Sequence, residues 1–300
     1  MTAFLGFPFT PIEIGQRAIV TDFLARHPQP LSDYSSASLC VWSSVFRYQF
    51  AVAEPDTLLL HAQLDPDPQP RLLQPLGQFS EALQETLLAH ARELPAPLVI
   101  ESVSAEFLAR HPAFAAHFHV VANRDSANYV YQTEDLAALA GHRYAKKRNL
   151  IQQATRLYDW RIEPLGPQHS KECLEVGDDI AAKRTTLTLQ QESRALATAI
   201  RDFGALGLAG LLLRIDDRPA AFSIYDRLNP TTALVLFERA LRDKKGLYQA
   251  INQETARAIA AQGLRFINRE EDLGDPGLRR AKLSYHPVRL EAKHTLTLRR

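Results

Sequence analysis

Three hundred residues, 46% apolar and 23% charged, have the composition of a soluble globular protein with a real core, in one large domain or two ordinary ones. The net charge of +1 hides a split, with 7 Lys/Arg against 15 Asp/Glu in residues 1–140 (net −8) and 28 against 19 in residues 141–300 (net +9). Two scattered cysteines, Cys40 and Cys173, exclude a disulfide framework or a zinc site, and no run approaches the roughly 18 apolar residues of a membrane span.

The start, Phe4-Leu5-Gly6-Phe7-Pro8-Phe9, is apolar but lacks a basic run and is too short for a signal peptide. It reads as a tucked-in arm, with a membrane-touching tip as the alternative. Arg47–Ala53 and Thr57–Gln63 are β-type runs around the turn Glu54-Pro55-Asp56. Prolines 66, 68 and 70 make Asp65–Pro70 a loop. Helical spacing over Phe79–Leu94 stops at Pro95-Ala96-Pro97, and Leu98–Ile100 follows as a buried strand. His117–Ala122 and Asn128–Tyr131 predict two strands joined through Asn123-Arg124-Asp125-Ser126.

Thr133 before Glu134 and Asp135 predicts a helix N-cap. A second helix over His142–Tyr158 has Leu150, Ile151, Ala154 and Leu157 on one face and Arg143, Lys146, Lys147, Arg148 and Arg156 on the exposed side. Here the charge split leaves two readings open, an anionic partner for the basic half or two halves that attract each other. Pro164-Leu165-Gly166-Pro167 is the best boundary, which gives domains over 1–160 and 161–300.

The second half repeats the pattern of the first. A helix over Gln190–Phe203 precedes Leu208–Ile215 and Ala220–Tyr225, which flank the turn Asp216-Asp217-Arg218-Pro219. Ala233–Phe237 leads into Glu238, the basic loop Lys244–Tyr248 follows, and Gln249–Gln262 is a helix. Leu264–Asn268 is a strand that delivers Asn268, Arg269, Glu270, Glu271 and Asp272 to its C-terminal end, before a Gly/Asp/Pro turn and a basic helix. Val288–Leu298 closes the fold in β-structure. Carboxylates packed beside Arg269, Arg279, Arg280 and Lys282 suit acid/base or charge-binding work, and equally a solvated turn closed by ion pairs.

Hairpin, third strand, basic loop, helix and strand is the element order of GNAT acyltransferases. Several strings also resemble the phosphatidylglycerol lysyltransferase catalytic-domain family. In the middle these are Asp125-(x3)-Tyr129-(x)-Tyr131, Asp135-Leu136, Leu139-(x)-Gly141 and Lys147-Arg148-Asn149. Further on they are Glu238, Gly246-Leu247-Tyr248, Ile251-Asn252, Asn268-Arg269-Glu270-(x)-Asp272-Leu273-Gly274, Leu278-Arg279-(x)-Ala281-Lys282 and Tyr285-(x)-Pro287. The resemblance covers roughly residues 10–295. It implies an α/β (α+β) fold of two GNAT-like domains in tandem, each a mixed sheet flanked by helices and related to the Fem aminoacyltransferases. The implied activity is aminoacyl transfer from aminoacyl-tRNA to a lipid or other small acceptor. The multi-helix membrane part of the lysyltransferases has no counterpart among these residues.

In an acyltransferase of that fold Glu238, Glu270 and Asp272, at strand ends, are the candidate catalytic bases or binders of an aminoacyl α-amine, and Tyr285 is the candidate acid for the leaving group. Lys147, Arg148, Asn149, Gly246, Tyr248, Asn252, Asn268, Arg269, Arg279 and Lys282 become substrate- or donor-binding residues. The partners the resemblance implies are an aminoacyl-tRNA donor and a phospholipid acceptor, in a cytoplasmic setting with peripheral contact at the inner membrane face. No cofactor is expected. One alternative is a CoA-dependent N-acyltransferase with acyl-CoA at the Gly246 loop, although Asp243–Tyr248 lacks the second small residue of a pyrophosphate loop. The other is a non-catalytic module for lipid headgroups or RNA. His111, His117 and His119 lack carboxylate or Cys partners at ligand spacing, so no metal is expected.

Overall fold

The computed structural model describes residues 2–64, 67, 69–181 and 187–300. Asp65, Pro66 and Pro68 of the predicted proline loop therefore lie outside the described residues. The chain divides into two compact units. Unit 1 holds Met1–Asn128, Glu271–Gly274 and Glu291–Arg300, and unit 2 holds Tyr129–Glu270 and Asp275–Leu290. By this division Pro164–Pro167 falls within unit 2.

Unit 1 begins with β1 (Thr2–Phe4), β2 (Phe7–Pro11), α1 (Arg17–Arg26) and α2 (Ser36–Phe46). There follow β3 (Gln49–Ala53), β4 (Thr57–Ala62), β5 (Arg71–Leu73), β6 (Leu76–Gly77), α3 (Glu81–Arg92) and β7 (Val99–Val103). The short helices α4 (Ala105–Arg110) and α5 (Pro112–Ala115) lead into β8 (Phe118–Gln132). Its sheet is ordered β1-β2-β3-β4-β5-β7, antiparallel except where β5 and β7 run parallel. Phe9, Leu59, Leu87, Ile100, Phe107 and Phe118 share one core, and Phe4 and Phe7 pack against it. The apolar start is thus a tucked-in arm.

The predicted pair of strands over 117–131 is one strand of fifteen residues, β8. Asn123–Asp125 carry turn-forming side chains, yet residues 119–125 are exposed, and a strand open to water accepts polar residues without turning. Thr133 is the first residue of α6 (Thr133–Ala138) and makes no cap bond; Gln132 occupies the N-cap position.

Unit 2 continues through α7 (Ala145–Leu157), β9 (Trp160–Pro164), α8 (Ser170–Ala181), α9 (Leu187–Arg201), β10 (Ala209–Ile215), β11 (Arg218–Asn229) and β12 (Thr232–Ala240). Then come α10 (Leu247–Ala261), β13 (Phe266–Asn268), α11 (Pro276–Leu283) and β14 (Arg289–Leu298), whose last residues return to unit 1 and pair with β7. The unit 2 sheet runs β9-β10-β11-β12-β13, with β12 and β13 parallel and the end of β8 antiparallel to β13. Helix α10 buries Ile251, Ala256 and Ile259 in its two apolar clusters. On α7 the predicted face holds at Ala154, which is buried, but Leu157 is exposed and Lys147 is turned partly inward.

Glycine is required at Gly246. Its φ is +87°, and a Cβ there would meet the Leu150 carbonyl oxygen at 2.2 Å, where α7 crosses the start of α10. Gly246→Ala is expected to destabilise by about 2–4 kcal/mol, read by urea unfolding.

A buried charge network ties three separate segments of unit 1. Lys293 Nζ lies 2.6 Å from Asp33 Oδ2 and 3.2 Å from Glu271 Oε2, and Ser102 Oγ donates to Asp33 Oδ1 at 2.8 Å. Burial works against both charges, but Lys293 and Ser102 hold the Asp33 carboxyl below its ordinary pKa, while Asp33 and Glu271 hold Lys293 above its own. The Asp33 contribution is present above the unfolded carboxyl pKa and is lost as pH falls through the folded one. The Lys293 contribution is full below the unfolded lysine pKa and is lost as pH rises through the folded one. Lys293→Met leaves two half-buried carboxylates, Asp33 and Glu271, without their shared counter-charge. It is expected to cost about 3 kcal/mol and to flatten the alkaline loss of stability, measured by urea unfolding across pH.

Candidate functional site

The chemistry-bearing residues of unit 2 converge where the short strand β13 ends beside its parallel neighbour β12, which runs on past it to Ala240. Glu238, near the end of β12, and Arg269, just past β13, meet there. Arg269 Nη2 donates to Glu238 Oε1 at 2.8 Å, and Asn252 Nδ2 on α10 donates to Glu238 Oε2 at 3.1 Å. Both charged side chains are largely buried, at 13% and 9% exposure. Among the described residues, the buried Arg269 Nη1 and Asn252 Oδ1 have no hydrogen-bond partner. A donor and an acceptor are therefore left beside one carboxylate, an arrangement that native cores rarely leave unanswered.

Aromatic rings wall this pair. The Arg269 guanidinium sits 5.1 Å from the Tyr285 ring centroid and 5.7 Å from that of Tyr131. Burial raises both phenols above the ordinary tyrosine range, so each stays protonated at neutral pH. Tyr131 donates to the Lys282 carbonyl at 2.9 Å, Tyr144 donates to the Tyr285 carbonyl at 3.1 Å, and Lys282 Nζ donates to the Arg269 carbonyl at 2.6 Å. These bonds fix the polypeptide on both sides of the cluster.

Lys147 completes it. Its Nζ donates to Ser284 Oγ at 2.6 Å and lies 4.0 Å from the Tyr285 ring centroid. Burial, with Arg269 and Lys146 adding repulsion, pulls its pKa down to about 8. An amine of that pKa can both take and give a proton near neutrality.

The remaining sequence-predicted residues are placed as follows. Asn268 is buried and accepts from the Glu270 N–H at 2.8 Å, holding Glu270 in a left-handed turn with φ +55°. Asp272 belongs to unit 1, where it lies 3.2 Å from Arg124 Nη1 and accepts from the Gly274 N–H at 2.9 Å. Arg148 donates to the carbonyls of Leu139 and Gly141, tying down the turn before α7. Asn149 is exposed, and Tyr248 packs against the cluster that holds Leu247 and Ile251. Arg279 is half-buried on α11. The glycine at 246 is accounted for by helix packing.

Ser284, Tyr144 and Gln249, which hydrogen-bonds Tyr285, were not among the predicted site residues. Ser284 and Tyr285 share the motif-bearing segment. Tyr144 and Gln249 carry no local signal at all. The buried Cys173 thiol is pushed up to about 12 by burial and is no nucleophile. Two concavities of unit 1, about 520 and 260 Å³, are lined by none of the Glu238 cluster. Among the described residues no cluster of His, Cys, Asp and Glu could hold a metal ion, and no helix is long and apolar enough to cross a membrane.

The profile of the family described as phosphatidylglycerol lysyltransferase, C-terminal, matches residues 24–297. The chain belongs to this family. A conserved protein of unknown function from Bacteroides thetaiotaomicron VPI-5482 is 32% identical, covering 98% of this chain and 100% of that one, with a TM-score of 0.90. L-PGS from Bacillus licheniformis shares the fold at 14% identity, covering 94% and 91%, with a TM-score of 0.67. A tandem GNAT protein from the clavulanic acid biosynthesis pathway does so at 12% identity, covering 97% and 98%, with a TM-score of 0.52. No curated protein sequence matches. The mixed strands of each unit with their flanking helices are thus a tandem GNAT-like architecture within the lysyltransferase family, and membership supports an acyltransferase of the aminoacyltransferase type.

Proposed function

We propose that this lysyltransferase-family chain moves an aminoacyl group from aminoacyl-tRNA to the hydroxyl of a lipid or another small acceptor, at the Glu238–Arg269–Lys147 cluster. The observation that carries the reading is the buried Arg269–Glu238 pair, which still has a donor and an acceptor to offer, with the half-buried Lys147 amine 4.0 Å from the Tyr285 ring that also faces Arg269.

Ester-to-ester transfer needs a base for the acceptor hydroxyl, a donor for the oxyanion and an acid for the leaving ribose oxygen. Neutral Lys147 takes the acceptor proton as the hydroxyl oxygen bonds to the ester carbon. Arg269 Nη1 donates to the oxygen that gains charge. As the bond from carbon to ribose oxygen breaks, the Lys147 ammonium returns the same proton to that oxygen, so none is gained or lost. Glu238 and Asn252 Oδ1 receive the α-ammonium of the aminoacyl group. Tyr285 holds Lys147 in place and stays protonated.

Thermal stabilisation by different donors tests the donor side. Charged tRNA is expected to raise the melting temperature more than the same tRNA deacylated, at physiological salt. Equal, salt-sensitive shifts with both would mean only polyanion binding. A shift with acyl-CoA alone would replace this reading with CoA-dependent transfer.

A further inference from the structure

The smaller concavity of unit 1, about 260 Å³, is lined by Gln74 and Pro75, which directly follow β5 where it runs parallel to β7. Open sheets keep their ligand sites outside such strand ends. Its volume lies below the roughly 300–1,000 Å³ of drug-sized ligands and suits a small metabolite. Its inner wall is a ladder of buried amides. Gln74 (1% exposed) accepts at Oε1 from the N–H and the hydroxyl of Ser104, each at 2.9 Å, and donates from Nε2 to Gln29 Oε1 at 2.9 Å. Gln29 (7%) donates in turn to the His27 carbonyl at 3.0 Å. The second hydrogen on Gln74 Nε2 has no acceptor among the described residues, a gap that native interiors seldom leave.

Helix α4 and His111 after it supply the outer wall, with Phe107 buried at its base. The His111 ring packs on Phe107 and Phe79, with centroids 4.7 and 5.4 Å away. Gln84 Nε2, whose amide is oriented by its 2.8 Å bond to the Phe79 carbonyl, donates to His111 Nδ1 at 3.3 Å. Burial, with Arg110 adding repulsion, holds the His111 pKa below its ordinary value, so the neutral ring carries its hydrogen on Nε2. Arg110 and Glu106 stand one helical turn apart, and the 3.7 Å between Nε and Oε1 is too long for a hydrogen bond. Neither side chain makes a hydrogen bond among the described residues. His27 is already engaged, with its Nε2 3.2 Å from Asp56, which Arg26 also holds. The wall thus offers one cation and one anion together. A net anion would be repelled by Glu106 and a net cation by Arg110, whereas a small zwitterion answers both. We infer that this concavity is a binding site for a free amino acid, with its carboxylate on Arg110 and His111 Nε2–H, its ammonium on Glu106, and the spare Gln74 hydrogen left for its side chain. The site lies in unit 1 and does not rest on the transfer reaction proposed for unit 2.

The test is thermal stabilisation of the full chain by each standard free amino acid, with no tRNA or acyl donor present, followed by calorimetric titration with the one that stabilises most. At least one is expected to raise the melting temperature. Its N-acetyl and C-amide derivatives, which each lose one charge, are expected to bind more weakly by about tenfold or more. Arg110→Gln and Glu106→Gln are each expected to weaken binding of the free amino acid by about tenfold or more. Both positions are exposed, and circular dichroism checks that the variants fold. Absence of a shift with every amino acid would overturn the inference. So would binding that survives both substitutions, since it would lie elsewhere on the chain. An N-acetyl derivative that binds as tightly as the free amino acid would also overturn it, by reducing the site to one for carboxylates.

Discussion

Lys147→Met is expected to lower kcat/KM for aminoacyl transfer by about 10²–10⁴, the span of a lost general acid–base. The fold should survive. Because the folded pKa of about 8 lies below the ordinary lysine value, the charged form is penalised in the native state. That deficit is present below pH about 8 and disappears as pH rises toward the unfolded pKa, so removing the charge leaves stability at neutral pH unchanged or raised. Lys147→Arg keeps the charge but cannot release a proton, and is expected to be as inactive as the Met variant. In the unaltered protein kcat/KM should climb with pH and level off near 8, not near the ordinary lysine pKa. Activity of the Arg variant within tenfold of the unaltered chain would remove Lys147 from the proton path.

Arg269→Lys is expected to lower kcat by about 10²–10³, the effect of removing one oxyanion donor. A point charge cannot donate to Glu238 through one nitrogen and offer a second in the fork geometry of Arg269. Arg269→Met is expected to do further harm. It leaves Glu238 buried beside Asn252 without a counter-charge and should cost about 3–5 kcal/mol of stability. Urea unfolding separates the two effects. The Lys variant should stay folded with its kcat loss intact, whereas a kcat loss that vanishes once folded fractions are matched would reduce Arg269 to a structural role.

Much of this arrangement was legible in the sequence because its signals are local. Asp216–Pro219 announced the hairpin, and Leu264–Asn268 announced a strand with polar groups at its end. What local signals cannot carry is pairing at a distance. Glu238 and Arg269 are brought together by the parallel register of β12 and β13, and nothing in either segment names the other. Lys147 read as a donor-binding cation on an exposed helix face and not as an acid–base group, since only packing against Ser284 and Tyr285 turns it inward. The string through Asp272 runs across both units, since the chain passes from unit 2 to unit 1 after Glu270, and Asp272 meets Arg124. Asn123–Asp125 looked like a turn because exposure and turning favour the same side chains.

The most direct measurement follows a radiolabelled aminoacyl group from a total aminoacyl-tRNA pool into the organic-soluble fraction, with membrane lipid as acceptor, for the unaltered chain and for Lys147→Met. The account predicts transfer by the first and none above background by the second, with both equally folded. Label that stays on tRNA with the unaltered chain while acyl-CoA serves as donor, or transfer by Lys147→Met at the unaltered rate, would contradict it.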